Sequence, residues 1–527
     1  MSTQVADLRE ITVATQGWQG GLNIRDAIDE LQPNELWRAE NVVYDNAGGV
    51  AKRRGCRSQG TFGAVADRVL SCYTFYRPGS NPQVLIHTSA GAVLYTNDVT
   101  ANPITWATVV ASGLSTTRPA AFETMNSNCY FAEGTLLGQW TGTTYTQISA
   151  APANIYFLRS WKDTMWATTT ASNDRVYSSA AGDPTTWPAA NWVDILHGDG
   201  DQVTALATDG LFLIVAKRRR VQVIYDPATF ANRTADMEKG AESHFGFQHL
   251  EDRLYYLSRL GICEWEGDTS ARLISYKIDP LFTPLILNIG ALANVMSYNI
   301  NGRCGWLLPE VNSSVPTLLI EYYPRLGPIY QISGNIGPGP WTMHRLPAMS
   351  FTVVRQGSTD GVYGGHVSAN KFMWFFSPDG TDDGTAFNST LEAAAINFGN
   401  PVLWKYFRRV TVVGRGKFTL QFKRNYTSGI YRSKAVVLGA AATNVWGNGG
   451  VLDPKWNTGT WGPDSDIKRL QLGTDLYAVA LSICVTDSET TTGTQIFPLG
   501  SKDAYLSLGA WALFQVAFDG NLLGLRG

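Results

Sequence analysis

The sequence predicts an all-β protein: a β-propeller of six or seven blades with an N-terminal arm and a C-terminal β-sandwich. Three observations lead to this prediction. A two-strand unit that ends on an aromatic residue recurs along the chain, its copies are regularly spaced, and the pattern changes after about residue 385. A period near 40–50 residues with about four short strands per unit is typical of propellers. A single large β-sandwich or an irregular meander stays an alternative.

The recurring unit is an apolar, aromatic-rich strand, a short polar turn and a second strand. Its β-branched and aromatic content and its Gly and Asn-Asp turns are typical of hairpins. The copies are Val84–Tyr95, Cys129–Trp140, Met165–Tyr177, Leu211–Tyr225, Leu254–Trp265 and, more loosely, Gly305–Tyr322 and Val362–Trp374. Their final aromatic residues are 45, 37, 48, 40, 57 and 52 residues apart.

Composition and rhythm divide the chain into three predicted parts. An N-terminal arm or platform segment is expected over residues 1–65, the propeller over 66–380 and the C-terminal β-sandwich over 385–527. Helix is expected only near Asp26–Asn41 and, as a short helix or apolar connector, in Pro280–Met296. Less than about one-fifth of the chain should therefore be helical.

The last part has strands of a different rhythm. Tyr406–Phe422 alternates around a Gly-Arg-Gly-Lys sequence at 414–417, which predicts a hairpin with its turn there. Leu476–Val485 and Ala504–Phe518 are expected to be further strands. Gly-Arg-Gly-Lys has some likeness to a phosphate-binding loop, but Phe418 stands where that motif needs Ser or Thr, so the turn is favoured.

Charge and composition favour a structural role. The chain has 527 residues, of which 44% are hydrophobic and only 16% charged, and 42 basic residues balance 44 acidic ones. A tight nucleic-acid binder usually carries a basic excess, which is missing here. A surface poor in charge suits a subunit whose flanks are covered by neighbours.

Neither export nor membrane insertion is expected. The N-terminus lacks a basic start followed by an apolar core, and no apolar run reaches 18 residues. Cysteines lack the paired spacing of zinc sites and the density of disulfide scaffolds, so buried free thiols made in a reducing cytosol are expected. They are Cys56, Cys72, Cys129, Cys263, Cys304 and Cys484.

Candidate metal sites are few and incomplete. Asp379–Gly384 has some likeness to a calcium loop, but Thr390 stands at the position of the bidentate Glu. The Gly-rich string from His197 to Asp201 offers three ligands, yet it is typical of a loop between two blades. His244 and His249 are five residues apart and share no helical face. No catalytic, cofactor or metal site is predicted, and no hydrolase motif occurs.

One basic cluster is a candidate contact tip. Lys217, Arg218, Arg219 and Arg220 are expected at the end of a hairpin, with a smaller run of basic residues at 52–54. The tip could contact an acidic patch on a neighbouring subunit or passing DNA. A solvated turn without a partner is the alternative.

The N-terminal part resembles the opening of a known family. It reads Gly20-Gly-Leu-Asn-Ile-Arg-Asp26, then Leu31-Gln-Pro-Asn-Glu35, Ala39-Glu-Asn41, Gly49 and Arg53-Arg-Gly55. This is similar to the start of β-propeller tail-nozzle proteins, which are virion proteins of short-tailed bacteriophages.

Two further passages carry the same resemblance. Val176–Trp187 (VYSSAAGDPTTW) is similar to a blade motif of that family, with a partial echo at Pro103–Trp106. The strand opening Lys405–Val410 (KYFRRV) resembles the family's C-terminal region. From the residues alone, Gly182-Asp-Pro184 is expected to be a turn whose Asp bonds nearby amides, with Trp187 packed on the blade.

The resemblance implies a virion structural protein without catalysis. Copies of the chain, six as the expected number, would form a ring below the tail adaptor around the channel through which DNA leaves. The adaptor and the tail fibres or needle would be its partners. DNA would pass without specific binding, and the protein, made in the host cytoplasm, would reside in the virion tail.

Two other classes of function stay open. A receptor-binding or fibre-attachment protein could use the same propeller as a platform, although no repetitive stalk sequence is present. A propeller enzyme acting on glycans would need an export signal and paired carboxylates, and neither stands out.

Overall fold

The computed structural model describes residues 10–14, 18–44, 49–267, 270–326, 339–356, 359–397, 404–438, 467–471, 477–478, 480–487 and 512–522. Strand accounts for 49% and helix for 5%, which confirms the predicted all-β class with little helix. Helix in the described part consists of 3-10 segments at His244–Gly246, Tyr276–Phe282, Ile289–Asn294 and Pro324–Leu326. None of these helices has the length and apolarity that crossing a bilayer requires.

The chain forms two compact units. We call Cys56–Tyr322 with Arg345–Ser377 the propeller unit. The terminal unit consists of Met1–Gly55, Tyr323–His344 and Pro378–Gly527. Compactness alone does not show that a segment folds independently, so the division into 1–65, 66–380 and 385–527 stays a prediction.

The N-terminal strands belong to the terminal unit. They are β1 (Glu10–Ala14), β2 (Gly21–Leu22), β3 (Glu35–Glu40), β4 (Val42–Tyr44) and β5 (Val50–Lys52). The helix predicted near Asp26–Asn41 is wrong, because turns lead into β3. That strand pairs with β2, and a paired edge with buried Leu36 and Ala39 outweighs the helix propensity of the segment.

Six antiparallel four-stranded sheets form blades in the propeller unit. The strand β6 (Cys56–Thr61) belongs to the closing blade. The strands of the first three blades are β7 (Val69–Phe75), β8 (Gln83–Thr88), β9 (Val93–Thr96) and β10 (Ala107–Val110); β11 (Ala121–Met125), β12 (Asn128–Ala132), β13 (Leu137–Trp140) and β14 (Tyr145–Gln147); and β15 (Ile155–Trp161), β16 (Thr164–Thr169), β17 (Arg175–Ser178) and β18 (Trp192–Asp194).

Two more consecutive blades follow, and then a three-stranded meander. Their strands are β19 (Val203–Thr208), β20 (Leu213–Lys217), β21 (Val221–Asp226) and β22 (Ala231–Asp236); β23 (Gln248–Leu250), β24 (Arg253–Ser258), β25 (Gly261–Trp265) and β26 (Ala271–Leu273); and, in the meander, β27 (Met296–Ile300), β28 (Arg303–Pro309) and β29 (Pro316–Tyr322). The segment Pro280–Met296 that leads into the meander holds 3-10 turns, in line with the expected short helix or connector.

The blades form a closed ring. After β30 (Trp341–Arg345), the closing blade contains β31 (Thr352–Gln356), β32 (Thr359–Gly365) and β33 (Lys371–Phe375), and β6 pairs with β33 as its fourth strand. β7 touches β11, β11 touches β15, and β15 touches β19. β19 touches the 3-10 turn His244–Gly246 that leads into β23, β27 touches both β23 and β31, and β31 touches β7. The prediction of a six- or seven-bladed propeller is confirmed, with six blades of four strands and the meander at one further position.

Each of the seven predicted hairpins is present. It supplies the second and third strands of a blade or of the meander. The aromatic residue at its end can reach the preceding blade: the Trp140 indole N–H donates to Gln83 Oε1 at 2.9 Å, and that of Trp265 donates to Asp209 Oδ2 at 2.9 Å. These residues therefore fasten neighbouring blades together.

The remaining strands belong to the terminal unit. They are β34 (Thr390–Ala393), β35 (Lys405–Arg424), β36 (Arg432–Leu438), β37 (Ile467–Gln471), β38 (Tyr477–Ala478), β39 (Leu481–Asp487) and β40 (Ala512–Leu522). The hairpin predicted within Tyr406–Phe422 is wrong, because β35 runs straight through residues 414–417. Its pairing with β40 shifts register between Val413 and Gly414, so this glycine marks an irregularity in a strand, not a turn.

The cysteines are free thiols, as expected. All of them are buried except Cys72, which is partly buried. Burial raises the pKa of Cys72 and Cys263 to about 12 each, which keeps both protonated and unreactive at neutral pH.

A glycine opposite an aromatic ring recurs in two sheets. Gly138 faces Phe131 in the second blade, and Gly305 faces Tyr298 in the meander. A Cβ at Gly138 would lie 2.5 Å from the Phe131 ring. We expect Gly138→Val to destabilise the protein by about 1–3 kcal/mol, because the ring must move out of a packed core.

The measurement is the midpoint of urea unfolding. Gly290→Ala is the matched control, since a Cβ there meets only Asn288 Oδ1 at 3.4 Å. A Gly138→Val protein with the midpoint of the wild type would contradict the packing argument.

Candidate functional site

The basic cluster at residues 217–220 folds differently from an exposed tip. Lys217 ends β20, and its N–H donates to Arg220 O at 2.8 Å to close the turn. The Lys217 side chain points inward and the residue is completely buried. Arg218 and Arg219 are exposed, and Arg220 is partly exposed. Lys217, expected at the contact tip, therefore lies beneath it.

The Lys217 ammonium group is held by an all-oxygen shell. Nζ donates to Asp174 Oδ1 at 2.9 Å and to Asp199 Oδ1 at 2.7 Å. It also reaches the backbone carbonyls of Leu196 at 3.1 Å and Asp201 at 3.3 Å. A buried ammonium is tolerated only when it is paired and hydrogen-bonded, and this one is.

The shell joins two blades. Asp174 lies in the β16–β17 turn of the third blade, whereas Leu196, Asp199 and Asp201 lie in the connection between β18 and β19. Lys217 itself belongs to the fourth blade, and its carbonyl accepts from Ala241 N at 2.9 Å in the next connection. One lysine therefore ties the third blade, the fourth blade and both adjoining connections.

The two carboxylates are tuned for this pairing. Burial alone would raise the pKa of Asp174, but the hydrogen bond from Lys217 and the Gly198 amide outweigh it and hold the pKa below its ordinary value. The same balance, with the amide of Asp201, lowers the pKa of Asp199. Both side chains are therefore ionised at neutral pH, as a buried lysine requires.

This arrangement accounts for the acidic string at 197–201. The string connects two blades, as its sequence predicts, and the Asp199 carboxylate accepts a hydrogen bond from Lys217 Nζ. His197 is largely exposed, with Nδ1 3.4 Å from Asp174 Oδ2. Across the described ranges, no group of three His, Cys, Asp or Glu side chains is placed to hold a metal ion.

The other sequence candidates also have structural partners. Asp382, in the calcium-like loop, accepts from Arg53 at 2.8 and 2.5 Å. Arg53 is buried and stacks on Phe387, so the basic run at 52–54 is not an exposed patch. His244 is buried and accepts from Leu206 N at 3.3 Å, whereas His249 is exposed. Neither histidine forms part of a metal group in the described part of the chain.

The residues of the N-terminal resemblance bond to one another. Asn23 Nδ2 donates to Glu35 Oε2 at 3.1 Å and to Asp26 Oδ2 at 2.9 Å. Asn41 Oδ1 accepts from Arg53 Nε at 2.9 Å, and Arg53 continues to Asp382. The motif is thus a buried polar framework within the terminal unit.

The blade motif is structural as well. Gly182 adopts a φ of 73°, and the Asp183 carboxylate accepts from the Thr185 amide at 2.9 Å and its hydroxyl at 2.6 Å. Trp187 is buried against the blade core and donates to Pro184 O at 3.0 Å. The expected turn and packing are confirmed.

Comparisons with known proteins give the fold and no further identification. No family model and no curated protein match the chain. Similar solved structures include BBS1N in complex with ARL6DN, 10% identical with a TM-score of 0.41, covering 64% of this chain and 98% of that one. YCF48 from Cyanidioschyzon merolae is 8% identical with a TM-score of 0.35, covering 61% and 98%. The blades define the class: this is a β-propeller protein.

Replacing the buried lysine should weaken the junction of the third and fourth blades. Lys217→Met removes the ammonium group that lies between the Asp174 and Asp199 carboxylates, and we expect a loss of about 3–5 kcal/mol. The matched control is Arg219→Met, an exposed neighbour expected to change stability by less than about 0.5 kcal/mol.

The measurement is urea unfolding at neutral pH. Adding Asp174→Asn and Asp199→Asn to Lys217→Met should recover part of the loss, because the unpaired charges are then gone. A Lys217→Met protein as stable as the Arg219→Met control would show that the junction does not depend on the ion pairs.

His87 should make stability depend on pH. It is buried near the end of β8, its Nδ1 accepts from Ala120 N at 3.2 Å, and burial lowers its pKa to about 4. Between pH 6.5 and 4, the His87 imidazole is mostly protonated in the unfolded chain and mostly neutral in the folded chain. Stability is therefore full above about pH 6.5 and falls by about 3 kcal/mol on acidification to pH 4.

His87→Asn tests this contribution. The amide oxygen can still accept the Ala120 N–H but does not titrate, so the loss of stability between pH 6.5 and 4 should shrink by about that amount. Urea unfolding at several pH values measures it. An unchanged pH dependence would mean that His87 is not the group responsible.

Proposed function

We propose that this chain is a structural subunit of the tail of a short-tailed bacteriophage, forming the ring-shaped nozzle below the tail adaptor. The ring, with six copies as the expected number, retains DNA in the virion and lets it pass during ejection. The protein has no catalytic role. Its partners are further copies of itself, the adaptor and tail fibres or a needle.

The observation that carries the proposal is the bonded framework formed by the resembling residues. Asn23 donates a hydrogen bond to Glu35, and Arg53 donates hydrogen bonds to both Asn41 and Asp382. The residues that resemble the tail-nozzle family are bonded to one another, so the resemblance extends to a local structure. Such a set of matches is less readily reached by chance than the same number of matches at unconnected positions. The proposal rests on that likeness together with the propeller fold.

The charge balance fits a conduit. Strong phosphate contacts come from clustered Lys and Arg, and a channel wall built of them would hold the genome back. Of the basic runs in the sequence, Lys217 and Arg53 form ion pairs with carboxylates of the same chain. Fewer Lys and Arg side chains are therefore available to bind phosphate than the two basic runs in the sequence suggest.

The test is the assembly state of the purified full chain. Mass photometry followed by electron microscopy should show a closed ring with a central opening wide enough for duplex DNA, roughly 20 Å. The ring should bind duplex DNA weakly and without sequence preference at physiological salt, with Kd no tighter than the usual non-specific range of about 10⁻⁴–10⁻⁶ M.

The rival functions give different results. A receptor-binding protein would stay monomeric or trimeric and bind whole bacteria. A glycan-acting enzyme would release reducing ends from surface polysaccharide, and a single Asp or Glu substitution would abolish that activity. Either result, in the absence of a ring, would reject the nozzle proposal.

A further inference from the structure

We infer that an arginine-rich patch on the fourth and fifth blades is one side of the contact between copies of this chain, and that it receives an acidic surface of the neighbouring copy. This inference rests on the proposed ring. The patch comprises Arg218, Arg219, Met237, Arg259 and Leu260, and we call it the arginine patch.

Three chain segments come together in the arginine patch. They are the β20–β21 turn, the connection between β22 and β23, and the β24–β25 turn. The connection is bonded to the first turn through Ala241 N and Lys217 O at 2.9 Å. It is bonded to the fifth blade through Glu242 N and Leu257 O at 3.0 Å. The residue before Ala241 is Gly240, where a Cβ would lie 2.0 Å from Lys217 O, so the segments pack without a gap.

The buried lysine makes the patch rigid. Lys217 is fixed by its carboxylate shell, and the Arg219 N–H donates to Asp201 Oδ2 at 3.1 Å. The turn that carries the arginines is therefore held from below. A rigid surface loses little conformational entropy on binding, which favours a stable contact.

The side chains on the patch are both cationic and apolar. Arg218, Arg219 and Arg259 are exposed, and Met237 and Leu260 are 61% and 50% exposed. Arginine and methionine are enriched in protein–protein interfaces. Exposed large apolar side chains beside arginines suit a protein partner better than a row of phosphates.

Carboxylates beneath the patch also argue against DNA. Glu242 is buried with Oε2 4.0 Å from Arg218 Nε, and its Oε1 has no hydrogen-bond partner among the described residues. Asp201 lies below Arg219. These negative charges weaken the attraction of a polyanion at a distance, yet leave the guanidinium groups able to form short contacts with single carboxylates.

A second copy of the chain can supply those carboxylates. A closed ring joins two different surfaces of each subunit, so a basic patch requires an acidic one elsewhere on the same chain. The chain as a whole carries a formal charge of −2. Exposed acidic pairs occur at Asp29–Glu30 and in the β23–β24 turn at Glu251–Asp252.

The experiment reverses charges on the full chain and measures assembly by mass photometry. Arg218→Glu with Arg259→Glu should raise the protein concentration needed for ring formation at least tenfold, because the new carboxylates then face the acidic surface of the neighbouring copy. Arg68→Glu with Arg118→Glu, two exposed arginines outside the patch, is the matched control and should assemble as the wild type does. Thermal unfolding of both variants checks that the fold is kept.

A charge swap identifies the partner surface. The patch variant is mixed with Asp29→Arg/Glu30→Arg or with Glu251→Arg/Asp252→Arg, and the expected result is that one of the two mixtures restores mixed rings. Failure of both mixtures, or a patch variant that assembles normally, overturns the inference while leaving the nozzle proposal standing.

The remaining outcomes are also decisive. A wild-type chain that stays monomeric at every concentration overturns both the ring and the patch. Fluorescence anisotropy with a 30-base-pair duplex completes the set. If the patch variant loses DNA affinity at least tenfold but still forms rings, the arginine patch is a DNA contact and the inference is wrong.

Discussion

The pairing of β6 with β33 is the constraint on which the propeller depends. Cys56 pairs with Phe375, so a strand at the start of the unit completes the blade formed at its end. Without it, the closing blade has three strands and loses the strand ladder that joins the start of the unit to its end. Main-chain hydrogen bonds between the two ends convert an open row of sheets into a closed one, as barrels and propellers do to remove vulnerable edges.

Local structure was predictable and distant pairing was not. The hairpins were predictable because the two strands of each are adjacent in sequence. Their alternating apolar residues and their turn residues indicate the pairing without reference to distant parts of the chain. β6 carries Arg57, Gln59 and Gly60, which look like a turn-rich arm, because only its partner makes it a strand. The same reason explains the error at 26–41, where β3 is a strand through pairing, and at 414–417, where β35 continues through two glycines.

At the basic cluster 217–220, the sequence indicated the charge of the residues but not the direction of each side chain. Four consecutive basic residues indicate a polar turn, which is correct, but the strand ending at Lys217 directs that side chain inward. Its partners Asp174 and Asp199 are 43 and 18 residues away, so no local pattern links them. The available signal was the acidic string in a connection between blades, because carboxylates that are partly removed from water are stabilised by a nearby cation.

The carboxylates at the junction of the third and fourth blades receive their positive charge from the chain itself. Many proteins hold such oxygen clusters together with a calcium ion, and their rigidity then follows the concentration of free calcium. An ammonium group on a side chain is present at fixed stoichiometry as soon as the blades meet. The junction therefore needs no added metal ion to neutralise these two carboxylates.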